Sequence, residues 1–181
     1  TWPRGTDLAA IRVDRAKTEL RHGRAIVLVP NEGTAPVLLA AAVETLGAEP
    51  WRALLKLAGS LRLLLTAERA QALLGHGGRA QSFRLAAVAG VETLQQLAAV
   101  NAGVSDIQAL HDPHPASTTM LAALALAKRA QLTPALVVAE LPASRLAALD
   151  ASLVLRLPEA DVPLAQGGRA LTLRRVSDAH V

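Results

Sequence analysis

The segment His111-Asp112-Pro113-His114 carries two imidazoles and one carboxylate within four residues. Histidine and aspartate are common metal ligands, and two histidines at this spacing could share a metal on a regular helix. Pro113 and the following Pro115 exclude such a helix, because proline lacks the backbone N–H and its ring clashes with the preceding turn. We therefore interpret the segment as a proline-rich surface loop rather than a metal site.

A second candidate is Glu32, in the loop at residues 30–34 (PNEGT) that follows an apolar run. A carboxylate just beyond a strand of an open sheet lies where ligands usually bind. One acid alone neither holds a hard cation well nor divides acid and base roles. Glu32 is therefore a candidate for ligand binding, and the alternative is an exposed turn.

Three hydroxyls, Ser117, Thr118 and Thr119, stand at the start of a predicted helix. Serine and threonine are good helix caps, and the free N–H groups of a helix start can hold an anion. No histidine or lysine adjoins the hydroxyls in sequence to activate one of them as a nucleophile. A structural cap is the simpler interpretation, with anion binding as the alternative.

The glycine-rich stretch GHGGR at residues 75–79 offers backbone N–H groups and an arginine that a phosphate would accept. It lacks the lysine-plus-hydroxyl ending of a nucleotide-binding loop, and it precedes a strand instead of opening a helix. We interpret it as a flexible connector.

Composition narrows the function classes. The 181 residues are 51% hydrophobic and carry a net charge of +4, but the arginines are scattered singly, which argues against a nucleic-acid-binding surface.

The chain has no cysteine, so disulfides and thiolate metal sites are excluded. The first residues, TWPRGTD, lack the apolar core of an export signal, and charge or proline interrupts the apolar runs before they could span a membrane. We expect a cytoplasmic protein without a membrane segment.

Helical patterns alternate with short apolar runs, which predicts an α/β fold in which helices cover a mixed sheet. A helix is predicted from Asp7 to His22, with Thr6 as its N-cap. Further helices are predicted after Gly47, after a Thr66 cap, over 91–100 and from the hydroxyls at 117–119. Strands are predicted over 25–29, 36–42, 61–65 and 82–88, after Pro134, and in the tail over 151–157 and 170–176. We expect a single domain over residues 1–181.

Three segments together resemble bacterial dihydroxybutanone phosphate synthase, the riboflavin-pathway enzyme that converts ribulose phosphate to a four-carbon phosphate and formate. RVDRAKTELRHGRAIVLV (12–29) resembles the start of that family, and LRLLLTAERAQALL (61–74) its next strand and helix. TTMLAALALAKRAQLTPALVVAEL (118–141) resembles the helix and strand that follow the family's His-Thr-Glu-Ala motif. The resemblance implies a synthase-like fold.

The tail LTLRRVSDAHV (171–181) resembles the lead-in to the GTP cyclohydrolase II domain of certain proteobacterial proteins, which carry a divergent synthase-like region in front of it. This resemblance implies that the chain is such a front region, ending before the cyclohydrolase domain. It also implies that the chain alone is not a cyclohydrolase, because the zinc site of that domain is built from cysteines.

The chain departs from the synthase family at the residues that carry the chemistry. The family's long acidic loop, ending Arg-Glu-Asn-Glu-Gly-Asp, is reduced here to residues 30–34. The family's metal-binding histidine falls on Thr119 and its catalytic glutamate on Leu121, so Thr119 is expected to serve as a cap. A hydroxyl and a leucine replace neither a metal ligand nor a proton-transfer carboxylate. We therefore expect no catalytic residue, metal or cofactor in this chain.

The function expected from these points is a non-catalytic dimerisation or regulatory domain of a GTP cyclohydrolase II. The expected partners are a second copy, joined through apolar Ala/Leu helix faces, and the cyclohydrolase domain of the parent chain. The alternative is a retained small-molecule site that binds a sugar phosphate or a nucleotide through Arg24, Glu32, Thr118 and Thr119. A nucleic-acid module, the third possibility, would require a continuous basic face.

Overall fold

Seven strands form one mixed sheet in the computed structural model, which describes residues 4–75, 78–86, 89–99 and 103–164. The strands are β1 Ile26–Val29, β2 Val37–Ala42, β3 Arg62–Leu65, β4 Gln81–Leu85, β5 Leu110–Pro115, β6 Ala135–Leu141 and β7 Leu155–Pro158. Their order is β5-β4-β3-β6-β2-β1-β7. Strands β1 and β7 run parallel, whereas the other neighbours are antiparallel.

The helices lie on both faces of this sheet. They are α1 Gly5–Arg21, α2 Ala48–Ala58, α3 Ala67–Leu74, α4 Val91–Ala98, α5 Val104–Ile107, α6 Thr118–Arg129 and α7 Leu146–Ala151. Short 3-10 helices cover Val43–Thr45, Ala143–Arg145 and Glu159–Asp161. The predicted α/β fold with a mixed sheet under helices is therefore confirmed.

Alternate residues of each strand enter two separate apolar cores, because successive side chains of a strand point to opposite faces. On one face, Leu28 and Leu38 pack with residues of α1 and α6, including Leu20 and Leu126. On the other face, the adjacent strand positions pack with residues of α2 and α4. Strands buried on both faces read as continuous apolar runs, which explains the unbroken VLLAAA of β2.

Most of the predicted elements that are described lie close to their predicted bounds, but the tail strand predicted over 151–157 begins only at Leu155, and one predicted cap is wrong. Thr66 caps α3 by accepting a hydrogen bond from the Arg69 backbone N–H, as predicted. The helix predicted to begin after Thr6 instead begins at Gly5, and Thr6 lies inside it. The reason is Asp7, whose Oδ2 lies 3.3 Å from the backbone N–H of Arg4 and so stabilises an earlier start.

The interpretation of residues 111–115 as a surface loop is also wrong, because they belong to the edge strand β5. Proline is tolerated on an edge strand, where its missing N–H interrupts no central ladder. A bulge separates the pairs Ser82–His114 and Arg84–His111, and Asp112 within it has a φ of 52°. The prolines correctly excluded a helix, but they did not exclude a bulged edge strand.

The predicted strand over 170–176 and the segment 171–181 lie wholly outside the described residues. The connector at 75–79, the strand over 82–88, the helix over 91–100 and the single domain over 1–181 lie partly outside them. Among the helices that are described, none is long and apolar enough to cross a membrane.

Candidate functional site

A cleft of about 480 Å³ opens beyond the carboxyl end of β1, beside the start of α6. The loop after β1 and the first residues of β2 form one wall, and the start of α6 and the 3-10 helix at 159–161 form others. We call it the β1–α6 cleft. Its lining residues are Pro30, Asn31, Glu32, Ala35, Pro36, Leu38, Ser117, Thr118, Thr119, Glu140 and Glu159.

The cleft is lined by carboxylates and hydroxyls. Glu32, Glu140 and Glu159 supply the charges, and no lysine, arginine or histidine belongs to the lining. No described ion pair involves any of the three glutamates. The cleft is therefore electronegative, which disfavours phosphates and other anions and favours cations or hydroxyl-bearing groups.

The polar centre of the cleft is a contact between Thr119 and Glu159. The Thr119 hydroxyl donates a hydrogen bond of 2.5 Å to Oε1 of Glu159, whose residue is only 7% exposed. Glu159 opens the 3-10 helix that follows β7, and Thr119 lies in the first turn of α6. The pairing of β7 with β1 thus carries this acid to the start of α6.

Ser117 is the residue that caps α6. Its Oγ accepts a hydrogen bond of 3.2 Å from the Met120 backbone N–H, which confirms the predicted cap at 117–119. The expectation that Thr119 itself serves as a cap is wrong, because its hydroxyl donates to Glu159. Thr118 is exposed and lines the cleft.

Of the four residues predicted to bind a ligand, the cleft brings together Glu32, Thr118 and Thr119. Arg24 is not among its lining residues. It precedes β1, whereas the cleft lies beyond the other end of that strand, and its guanidinium pairs with Glu19 at 2.6 Å. This bidentate pair raises the pKa of Arg24 and lowers that of Glu19. No sequence pattern predicts this pairing, because an (i, i+5) contact across a helix end follows no regular helical period.

Leu121, which the sequence resemblance aligns with the family's catalytic glutamate, does not line the β1–α6 cleft. It is 42% exposed and lines an apolar groove of about 670 Å³ between α6 and the start of α3. The β1–α6 cleft is therefore open, not plugged by this leucine.

A second polar cluster lies next to the cleft and shares Glu140 with it, in a pocket of about 340 Å³. Arg62 donates to Oγ and to the carbonyl of Ser82, and to the carbonyl and carboxylate of Asp112. His114 Nε2 lies 3.0 Å from Asp112 Oδ1. Hydrogen bonds from His114 and then Arg62 lower the pKa of Asp112. Arg62 therefore tethers the bulged edge strand to β3 and β4.

Sequence reasoning missed Glu140 and Glu159. Glu140 left a detectable signal, since it is the one charge in the apolar run ALVVAEL, exposed near the end of a strand that is otherwise buried. Glu159 left none, because the stretch PEAD reads as an ordinary loop. Its place depends on strand pairing between distant parts of the chain.

The solved structures that share this architecture include three synthases. A two-domain 3,4-dihydroxy-2-butanone 4-phosphate synthase from A. baumannii matches with a TM-score of 0.60 and 19% identity, over 83% of this chain and 56% of that protein. The synthase of Candida albicans matches with a TM-score of 0.59 and 16% identity, over 82% and 94% of the two chains. A synthase in complex with two magnesium ions matches with a TM-score of 0.52 and 14% identity, over 82% and 93%.

The chain has the fold of 3,4-dihydroxy-2-butanone 4-phosphate synthases. This confirms the synthase-like fold that the sequence resemblance implied. The match spans just over half the length of the two-domain synthase. Compared by sequence, the chain matches no protein-family model and no curated protein.

One of these synthases contains two magnesium ions, and the β1–α6 cleft of this chain offers oxygen donors from three glutamates. Magnesium takes oxygen ligands, and the three glutamates are of the right chemical type. In the described part of the chain, however, no three histidine, aspartate or glutamate side chains are close enough together to hold a metal. The described residues therefore supply carboxylates of the right chemical type but no group of three protein ligands.

Proposed function

We propose that this chain is a non-catalytic domain with the synthase fold, which serves as a dimerisation or regulatory module of a GTP cyclohydrolase II in riboflavin biosynthesis. Residues 1–181 form one such domain, and the cyclohydrolase domain follows it in the parent chain. The support for this context is the resemblance of residues 171–181 to the lead-in of that domain.

The observation that carries the non-catalytic role is the hydrogen bond between Thr119 and Glu159 at the centre of the cleft. Thr119 is the residue that the resemblance aligns with the family's metal-binding histidine, and this hydrogen bond already occupies its hydroxyl. Proton transfer and metal binding require side chains that reach a substrate or an ion in a defined geometry. The described lining supplies no histidine or lysine, and its acids do not converge on a metal.

The groove beside Leu121 supports the dimerisation role. Leu121 is exposed there and Ala125 is half-buried, above the buried Leu124, and Glu68 and Lys128 bring charges of both signs to the same groove. In a two-fold dimer the same surface of each subunit faces that of the other. The acidic side chain of one subunit can then pair with the basic side chain of the other, and the reverse. A second copy is accordingly the partner proposed for this surface.

A retained small-molecule site is the second candidate function, favoured by the open cleft, although the negative charge of its lining disfavours the sugar phosphate or nucleotide that the sequence analysis expected. Its volume of about 480 Å³ falls within the range of ordinary ligand sites, roughly 300–1,000 Å³. Glu32, Thr118 and Thr119 would contact the ligand, as the sequence analysis expected. Arg24 would not, because it lies beyond the other end of β1.

A thermal-shift screen separates these functions. The chain is heated with ribulose 5-phosphate, GTP or riboflavin-pathway intermediates, each with and without magnesium. A ligand at about a hundred times its dissociation constant adds ~2.7 kcal/mol to the free energy of unfolding, which moves the melting temperature visibly. The non-catalytic module predicts no magnesium-dependent shift with ribulose 5-phosphate. A shift with GTP or a flavin precursor would favour the second candidate.

Sedimentation velocity tests the dimer. We expect a concentration-dependent dimer for the unchanged chain and a monomer for Leu121→Glu, which places a charge in the apolar groove. Ile11→Glu is the matched control, since Ile11 is an exposed apolar residue on α1, outside the groove. A monomer at all concentrations, or dimers of equal strength in both variants, would contradict the proposed interface.

A further inference from the structure

The start of α6 has the properties of an anion-binding position. The helix is twelve residues long, and the first N–H groups of a helix lack partners within it and carry partial positive charge. Ser117 satisfies the Met120 N–H. No described hydrogen bond takes the backbone N–H of Thr118 or Thr119. Two donors therefore remain at the helix start, beside the β1–α6 cleft.

Glu159 already brings an anion to this position. Its residue is only 7% exposed, and its Oε1 accepts the Thr119 hydroxyl in the first turn of α6. Among the described ion pairs, none provides Glu159 with a lysine or arginine. A buried carboxylate requires compensation by hydrogen bonds or by opposite charge. The Thr119 hydroxyl and the positive end of α6 are the compensation that the structure offers.

We propose that Glu159 sets the charge selectivity of the β1–α6 cleft by acting as a built-in anion. Its carboxylate takes the place, at the start of α6, that the anionic group of a ligand would occupy. Glu32 and Glu140 add negative charge to the same cleft. The cleft consequently rejects phosphorylated molecules and other anions. This inference concerns the cleft itself and goes beyond the role proposed for the domain.

The test is a titration of the ¹⁵N-labelled chain with inorganic phosphate, followed by the amide NMR signals of Thr118 and Thr119. A parallel titration with sodium chloride at equal ionic strength gives the signal changes that are due to salt alone, and these are subtracted. The informative variant is Glu159→Gln, whose amide oxygen still accepts the Thr119 hydroxyl. Glu140→Gln is the matched control, because it removes an equal charge from the exposed wall of the same cleft. A circular-dichroism melt shows that each variant is folded.

We expect no saturable phosphate binding by the unchanged chain and saturable binding by Glu159→Gln. The dissociation constant should be lower than that of Glu140→Gln by about tenfold or more, since only Glu159 lies at the helix start. Three results would overturn the proposal: equal gains in both variants, no binding by either, or phosphate binding by the unchanged chain as tight as by Glu159→Gln. The titration measures binding alone, so its outcome is independent of whether the domain turns over a substrate or dimerises.

Discussion

The hydroxyl of Thr119 donates a hydrogen bond of 2.5 Å to Oε1 of Glu159, forty positions further along the chain. The contact joins the start of α6 to the 3-10 helix after β7, and it occupies the centre of the β1–α6 cleft. The sequence resemblance aligns Thr119 with the metal-binding histidine of the synthases. Here its hydroxyl is hydrogen-bonded to a side chain of the same protein. This contact is the structural basis of the proposed non-catalytic role.

Replacing Thr119 by valine should destabilise the protein at neutral pH. The change keeps the shape of the side chain but leaves the buried Glu159 carboxylate without its described donor, at a cost of about 1–3 kcal/mol in the free energy of unfolding. Thr118→Val is the control, because Thr118 is exposed and makes no described side-chain hydrogen bond. Urea denaturation measures both. Equal losses would mean that the Thr119 contact contributes nothing specific.

Gly23→Ala should be far more damaging than Gly75→Ala. Both glycines follow a helix at positive φ, +75° and +73°, where a Cβ costs roughly 1–2 kcal/mol. A Cβ at Gly23 would in addition lie 2.5 Å from the Thr45 carbonyl oxygen, whereas nothing lies within 4 Å at Gly75. We expect an extra loss of about 1–3 kcal/mol at Gly23. Thermal unfolding of the two variants tests this, and similar melting temperatures would contradict it.

Arg62→Lys should loosen the edge strand β5. Lysine keeps the charge but cannot reproduce the fork through which Arg62 holds both Ser82 and Asp112. The buried Ser82 would lose a partner, which costs about 1–3 kcal/mol. We expect faster amide hydrogen exchange in β5, with little change in β1 and β2. Arg84→Lys, at an exposed position of β4, is the control.

The pKa of Glu44 should respond to Thr133. The Thr133 hydroxyl first, and then its backbone N–H, lower this pKa below 4.5 by hydrogen bonds to Oε1. A lowered pKa stabilises the fold at pH values above 4.5 and ceases to do so as the pH falls through the lowered value. Thr133→Val should therefore raise the pKa toward 4.5 and make the acid-induced loss of stability shallower.

The effect of Thr133→Val on stability should be small, because Glu44 is exposed. Thr133→Ser retains the hydroxyl and is the matched control. A ¹³C titration of the Glu44 carboxyl group measures the pKa directly, and identical values in both variants would refute the assigned cause.

Most of the fold could be predicted because its signals are local. Apolar runs bounded by glycine, proline and cap residues marked β1, β3, α3 and α6, and their alternation indicated helices on a mixed sheet. Strand β5 was missed because Pro113 and Pro115 resemble loop residues. Only the sheet order reveals that they lie on an edge, where proline is tolerated.

The candidate site could be predicted only in part because it is assembled by long-range pairing. Glu32 and the hydroxyls at 117–119 were found from their places at element ends. Glu159 reaches the cleft because β7 pairs with β1, which no local pattern encodes. Arg24 was grouped with the other candidates, but it lies at the opposite end of β1, paired with Glu19, and no local pattern in the sequence reveals this.

The most direct test of the central claim, that the synthase site has been lost, is the release of formate. The purified chain is incubated with ribulose 5-phosphate and magnesium, and formate is followed by proton NMR beside an active synthase as positive control. The account predicts no formate above the protein-free background. Formate released with turnover, and abolished by Glu140→Gln or Glu159→Gln, would show that the cleft is a working active site and would contradict the non-catalytic role.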